Sequence, residues 1–275
     1  MKHPLLGLIL VAAAGCSTQD GATGELAADQ LVSSGLWISL DLADGSVAAV
    51  GGTVDPADPR WQGTTLLFRQ IVPGAATIGR PVADPLAEVD EYPRRDGAHG
   101  RVWICAHELN QLQWRMLSGD EPWYGVLPVA DLGAYVGDRL PAVGMTPLQA
   151  ETACESFHTD GWTVSLPEAL EWELACTGGR ASRFAWGDAL ETDEAAAQAR
   201  CAADAPIGCG SLAGNDWGMH DMHGNAWEMV RGDYGWEARG GAWDQPLLTA
   251  RSTNRMALEH DSAGWSLGLR LVLRR

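Results

Sequence analysis

The segment Gly218-Met219-His220-Asp221-Met222-His223-Gly224-Asn225-Ala226-Trp227-Glu228-Met229-Val230 gathers two histidines, an aspartate and a glutamate around a Gly-Asn turn. Three chemistries suit those residue types. Imidazoles at i and i+3 with Asp221 between them can chelate a transition metal, which needs a third nitrogen or sulfur ligand that the neighbourhood does not offer. Carboxylates and imidazoles can exchange protons. Alternatively Asn225 holds a positive-φ turn and Glu228 accepts backbone N–H groups, with no chemistry at all. No Ser nucleophile elbow accompanies the histidines, and no phosphate-cradling Gly loop with Lys is present.

Six cysteines are the other reactive residues. Cys16 ends the run Lys2…Leu5–Ala14, an apolar stretch too short to span a bilayer as a mature helix, which reads as a secretory signal. Its ending, Ala13-Ala14-Gly15-Cys16, resembles the lipobox of bacterial lipoproteins. The resemblance implies cleavage after residue 15, lipid on Cys16 and anchorage in the cell envelope. Ser17, where inner-membrane retention would place Asp, directs the protein to the outer membrane. Export permits disulfides, and an odd number of cysteines remains once Cys16 is set aside. Cys201 and Cys209 bracket the short loop "AADAPIG" and are the expected pair; Cys154 and Cys176 fall on apolar helix faces as buried small residues. A formal charge of −17, with no clustered basic stripe, excludes a nucleic-acid partner.

These residues need a scaffold, and the chain is long enough for a substantial core. Residues 16–35 are small and polar, a flexible tether. Leu36, Ile38, Leu40 and Leu42 alternate with polar positions up to the Asp44-Gly45 break, predicting a hairpin. A strand, a Pro73-Gly74 turn and a further strand follow, then "RVWIC" as a strand. Asn110 caps a first helix with Leu112, Met116 and Leu117 inward. Thr146, Pro147 and Gln149 form a capping box for a second, in which Leu148, Ala153, Cys154 and Phe157 follow. A third carries Leu170 and Leu174 and stops at Gly178-Gly179. Beyond it come Gly, Trp and short strands. Thirteen tryptophans scattered along the chain point to indoles pinning a loop-rich core, although a sugar-binding surface also uses Trp.

The order of these pieces resembles the formylglycine-generating enzyme, or sulfatase-modifying factor, domain. It runs through "LLFRQIVPGAATIG", "VWICAHELNQLQWRMLSG", "LPAVGMTPLQAETAC", "SLPEALEWELACTGG", "FAWGD", "NDWGMHDMHGNAWEMV", "RGGAW" and "GLRLV". The resemblance implies an α+β variant of the C-type-lectin fold over residues 66–275, preceded by an N-terminal β extension at 36–65. It also implies a Ca²⁺ held by the carbonyls of His223, Gly224 and Ala226 with the Glu228 carboxylate, oxygen donors that suit a hard cation. A second calcium site of the family is not expected, because Arg200 stands where its Asn belongs.

The family's oxidase activity depends on two thiolates that bind Cu(I) soon after the Arg-Gly-Gly segment. Here Arg239-Gly240-Gly241-Ala242-Trp243 is followed by "DQPLLTARSTNR", the two positions falling at Gln245 and Ala250, and no Cys follows Cys209. Copper is therefore not expected. The expectation is a membrane-anchored, non-catalytic lipoprotein that binds a protein or glycan ligand. The alternative is an oxidoreductase of the same family with altered chemistry.

Overall fold

The computed structural model describes residues 36–73, 77–91, 94–95, 100–127 and 129–275. The signal segment, Cys16, the tether and the Pro73-Gly74 turn lie wholly or partly outside them. In chain order the elements are β1 (Trp37–Asp41), β2 (Val47–Ala49), β3 (Thr65–Ile71), β4 (Thr77–Ile78), β5 (Arg94–Arg95), β6 (Val102–Cys105) and α1 (Gln111–Ser118). Next come α2 (Pro147–Ser156), β7 (Thr163–Ser165), α3 (Ala169–Thr177), α4 (Asp193–Gln198), β8 (Ala199–Arg200) and β9 (His223–Gly224). The chain closes with β10 (Trp227–Gly232), β11 (Gly235–Arg239), β12 (Arg255–Leu258), β13 (Leu267–Gly268) and β14 (Val272–Arg274). This is the α+β architecture expected, with short helices and small sheets. Among the described residues no helix is long and apolar enough to cross a membrane.

The predicted hairpin forms, with Ile38 opposite Ala49. It does not stand apart as an extension. β1 also pairs with β3, Ile38 opposite Phe68, inside a six-stranded sheet ordered β2-β1-β3-β6-β14-β7. Ile38, Leu40, Leu66 and Phe68 are almost wholly buried in one cluster with Trp103 and Trp114. Leu36, assigned to the same face, is exposed. Gly45 closes the hairpin at φ +75, where a Cβ would stand 2.3 Å from the His158 carbonyl oxygen, so this turn requires glycine. The last strand, β14, lies between β6 and β7, sewing the C-terminus into the sheet that the N-terminal hairpin begins.

The Asn110 cap and the Thr146–Gln149 capping box are present as expected, Gln113 completes a further box with Asn110, and Gly178 ends α3 in the left-handed conformation. The inward face of α1 differs from expectation. Gln111, Gln113, Trp114 and Leu117 are buried, while Leu112 and Met116 are only partly so. The glutamine amides are satisfied inside: Gln113 Nε2 donates to the Trp61 and Gly63 carbonyls, and Gln111 Nε2 to that of Tyr135. A buried amide with partners on backbone carbonyls costs little, so polarity did not mark the outer face. Leu148 on α2 is likewise exposed, and Leu174 on α3 half-buried beside a fully buried Leu170. Ten of the thirteen tryptophans are buried, as expected of indoles that pin a core.

Candidate functional site

The Gly-Asn turn is built by partners far away in sequence. Asp221, Gly224 and Asn225 all hold positive φ, and a Cβ on Gly224 would meet the Arg200 carbonyl oxygen at 2.1 Å. The Asn225 side chain accepts from the Ile207 N–H at 2.9 Å and donates to Glu108 at 2.5 Å. The other Glu108 oxygen accepts from the Ala226 N–H at 2.9 Å. Asp221 accepts from the backbone N–H groups of Gly210 and Leu212. Glu108 and Asp221 are both buried, and desolvation raises both pKa values, that of Glu108 further through the neighbouring carboxylates. Glu108 is the residue that sequence reasoning missed; the local pattern shows only a charged residue after a strand.

Of the expected calcium ligands, the Glu228 carboxylate is already engaged, and the turn around the three carbonyls is held by other bonds. His223 is buried, with Nδ1 donating to the Ala250 carbonyl at 2.8 Å and Nε2 accepting from the Ala185 N–H at 3.0 Å. Those two bonds fix one neutral tautomer, and burial lowers its pKa to about 4. Gly224 donates its N–H to the Gly240 carbonyl, and Ala226 donates to Glu108. Glu228 is clamped by Arg270: Nε to Oε2 at 2.8 Å, one Nη to Oε1 at 2.7 Å, with Trp172 Nε1 also donating to Oε2 at 2.6 Å. Burial opposes the charge on Arg270, but Glu228 outweighs it and holds the guanidinium pKa above its ordinary value. The Glu228 carboxylate is therefore not free for a calcium ion. The Glu228 charge is already matched, and a divalent cation there would face a guanidinium with no exposure. The melting temperature is accordingly expected to be the same in chelator and in millimolar calcium; a calcium-dependent rise would overturn this assignment.

His220 is not brought to His223. Its Nδ1 lies 2.7 Å from the Leu212 carbonyl, and its ring packs on His107 at 5.0 Å. Among the described residues, no group of three or more His, Cys, Asp or Glu side chains is placed to hold a metal ion.

The expected Cys201–Cys209 disulfide is not formed; both thiols are free. The loop between them is anchored in different places. Ala202 and Ala203 donate to the Gln245 and Trp243 carbonyls, whereas Cys209 donates its N–H to Arg139. Cys201 Sγ faces the His223 carbonyl at 4.0 Å, while the buried Cys209 lies beside Glu108 and Asp221. Burial raises both thiol pKa values, that of Cys201 to about 12, which leaves both as inert thiols near neutrality.

The positions where thiolates would bind copper lie after β11. The Gln245 N–H donates to the Ala242 carbonyl, and Ala250 is fully buried against Gly241, the His223 ring holding its carbonyl. Next to them, three loops bring Tyr135, Trp243 and Trp265 together. Ring centroids are 5.6 Å apart for Tyr135–Trp243, 5.4 Å for Trp243–Trp265 and 6.3 Å for the stacked Tyr135–Trp265 pair. Trp243 is buried and its backbone N–H donates to the Asn225 carbonyl, which ties this face to the Gly-Asn turn. Trp265 is 40% exposed, the most exposed indole of the chain. Asp244 runs alongside, with Oδ2 3.4 Å from the Ser266 hydroxyl and Oδ1 buried without a hydrogen-bond partner among the described residues. The face offers an aromatic surface and no thiolate.

Residues 97–275 match the family model described as the sulfatase-modifying factor enzyme 1-like domain, and the chain belongs to that family. Among solved structures it is similar to variable protein 1 of Treponema denticola, with a TM-score of 0.63, 16% identity, and coverage of 77% of this chain and 96% of that one. It is also similar to PvdO from Pseudomonas aeruginosa (TM-score 0.62, 18% identity, 76% and 94% covered) and to CarF (0.54, 15%, 74% and 97%). At such identities the likeness is one of fold. No curated protein matches the sequence.

Proposed function

We propose that this chain is an exported lipoprotein, anchored through lipid on Cys16 in the bacterial outer membrane, whose sulfatase-modifying-factor domain binds a protein or glycan ligand rather than oxidising cysteine. The observation that carries this reading is the composition of the segment after Gly241. Where the family's oxidase uses a pair of thiolates, Gln245 offers an amide and Ala250 a methyl group packed on backbone. Neither is a ligand for Cu(I), a soft ion that selects sulfur. The five cysteines beyond the lipobox lie upstream, and none of them is paired; Cys105, Cys154, Cys176 and Cys209 are buried. Binding needs no such reactive group, and the exposed indole of Trp265 supports a recognition surface there.

The test incubates the full chain, loaded with copper, with a Cys-containing sulfatase-motif peptide and a reductant in air. The expected result is no aldehyde above a Cys-free control peptide, read by mass. Aldehyde formation would sink the reading and move the protein to the oxidases. Recovery of the native-host protein without a diacylglyceryl-Cys N-terminus would remove the anchor from it.

A further inference from the structure

We propose that the end of the six-stranded sheet at which the chain enters is a docking surface for an anionic lipid bilayer, with Arg101 and Arg275 on lipid phosphates and Leu36 and Val72 among the headgroups. This inference rests on the lipid-anchor reading above and says which way the anchored domain faces. The register builds the surface. Ile71 lies opposite Val102, Leu273 opposite Trp103 and Arg274 opposite Thr163. One step further along these four strands, Val72, Arg101, Arg275 and Trp162 form a single row across the end of the sheet. Side chains alternate along each strand, so all four fall on the face that carries Trp103. The Arg275 guanidinium lies 5.8 Å from the Trp162 ring centroid, as that row requires. Leu36 stands in the next row of the same face, its carbonyl accepting from the Gln70 N–H.

Like charges on neighbouring strands repel, and an anion set between two arginines relieves that cost. Both arginines are exposed, and so are Val72 at 64% and Leu36 at 50%. Arg69, on the other face near this end, adds a third positive charge, its guanidinium over the Trp37 and Trp217 rings. Asp160, exposed, stands beyond Trp162 at the outer corner. The opposite end of the sheet carries Asp41 and Asp44, past the pair Leu40–Leu66. In a chain of net charge −17 the sheet is thus positive at one end and negative at the other, so an anionic bilayer orients it. A free phosphate would answer the arginines but has no use for two exposed aliphatic side chains, whereas a headgroup layer takes both. The chain itself points to the same occupant. Cys16 and residues 17–35 precede Leu36, so the expected anchor attaches at this rim.

The test reconstitutes the full chain from its native host in vesicles of phosphatidylethanolamine and phosphatidylglycerol. A polarity-sensitive fluorophore is attached through Val72→Cys in one sample and through Asp44→Cys in another. The native thiols do not compete, four being buried and that of Cys201 pushed up to about 12. The expected result is blue-shifted emission from the Val72 site, quenched by spin-labelled lipid, and neither effect from the Asp44 site. Arg101→Gln with Arg275→Gln should lower the docked-to-undocked ratio about fivefold for each charge removed. Phosphatidylcholine vesicles should reduce the quenching in the same way while the chain still floats with them, and inorganic phosphate at millimolar concentration should leave it unchanged. Both arginines are exposed, so the double variant is expected to melt with the parent. Equal quenching at the two sites, or quenching at the Val72 site indifferent to the double variant, would overturn the proposal and leave the anchor in place. A chain that does not float with the vesicles at all would remove the anchor, and this orientation with it.

Discussion

Replacing Arg270 by Met is expected to destabilise the protein by about 3–5 kcal/mol, the cost of stranding a buried charge. Arg270 has no exposure and makes four hydrogen bonds inside the fold. Two go to Glu228, one to the Cys105 carbonyl at 2.9 Å and one to the His220 carbonyl at 2.8 Å. Without it, Glu228 keeps only Trp172, and two backbone carbonyls lose their partner. The pair joins β10 to the approach to β14, so the damage falls between the two main sheets. Urea unfolding measures it as a lower midpoint at unchanged slope. Glu228→Gln in the same chain as Arg270→Met removes the orphaned charge, and that double variant should regain much of the loss. If Arg270→Met unfolds at the parental midpoint, or the double variant is no better than the single, Glu228 is not held as an ion pair.

That pair marks where sequence reasoning stopped. Glu228 was legible as a functional position of the turn, but its partner is 42 residues further on, in the segment "GLRLV", where nothing local says what the arginine pairs with. Glu108 is 117 residues from Asn225 and equally silent. Local chemistry was readable throughout: the Asn110 cap, the Thr146 capping box, the Gly178 stop and the Asp44-Gly45 hairpin each depend on residues within a few positions. The burial of Gln111 and Gln113 was not, because their amides are satisfied by carbonyls some 24–52 residues away. The place of β1 inside the six-stranded sheet follows from β3 and has no local signal. The aromatic face shows the same limit. Trp243 and Trp265 could be seen as tryptophans, yet Tyr135 joins them only when three separate loops converge.

The second large effect is on acid stability, and it belongs to His223. In the unfolded chain this imidazole titrates at its ordinary value of 6.5; in the fold, burial lowers it to about 4. Between those values the unfolded state binds the proton and the native state does not. Stability contributed by the neutral ring is therefore full above pH 6.5 and drains away as pH falls toward 4. At about 1.4 kcal/mol per pH decade, the interval is worth roughly 3 kcal/mol. Protonation would also place a donor at Nε2 against the Ala185 N–H, so the turn loses a bond as it gains a buried charge. His107, buried and lowered by desolvation, acts in the same direction, while Glu108 and Asp221, raised by burial, act oppositely. The parental profile sums these with other shifted carboxylates, among them Glu171 and Glu173 raised and Asp84 lowered, and only the difference from a variant isolates one group. His223→Gln keeps a donor for Ala250 and an acceptor for Ala185 but cannot titrate. It is expected to be less stable at pH 7, having lost the ring's contacts with Phe184 and Trp186, and to close on the parent as pH falls from 6.5 to 4. Urea midpoints at half-unit pH steps measure the gap. A gap that stays constant across that range would mean that His223 carries its proton in the native turn, and that its bonds to Ala185 and Ala250 are wrongly assigned.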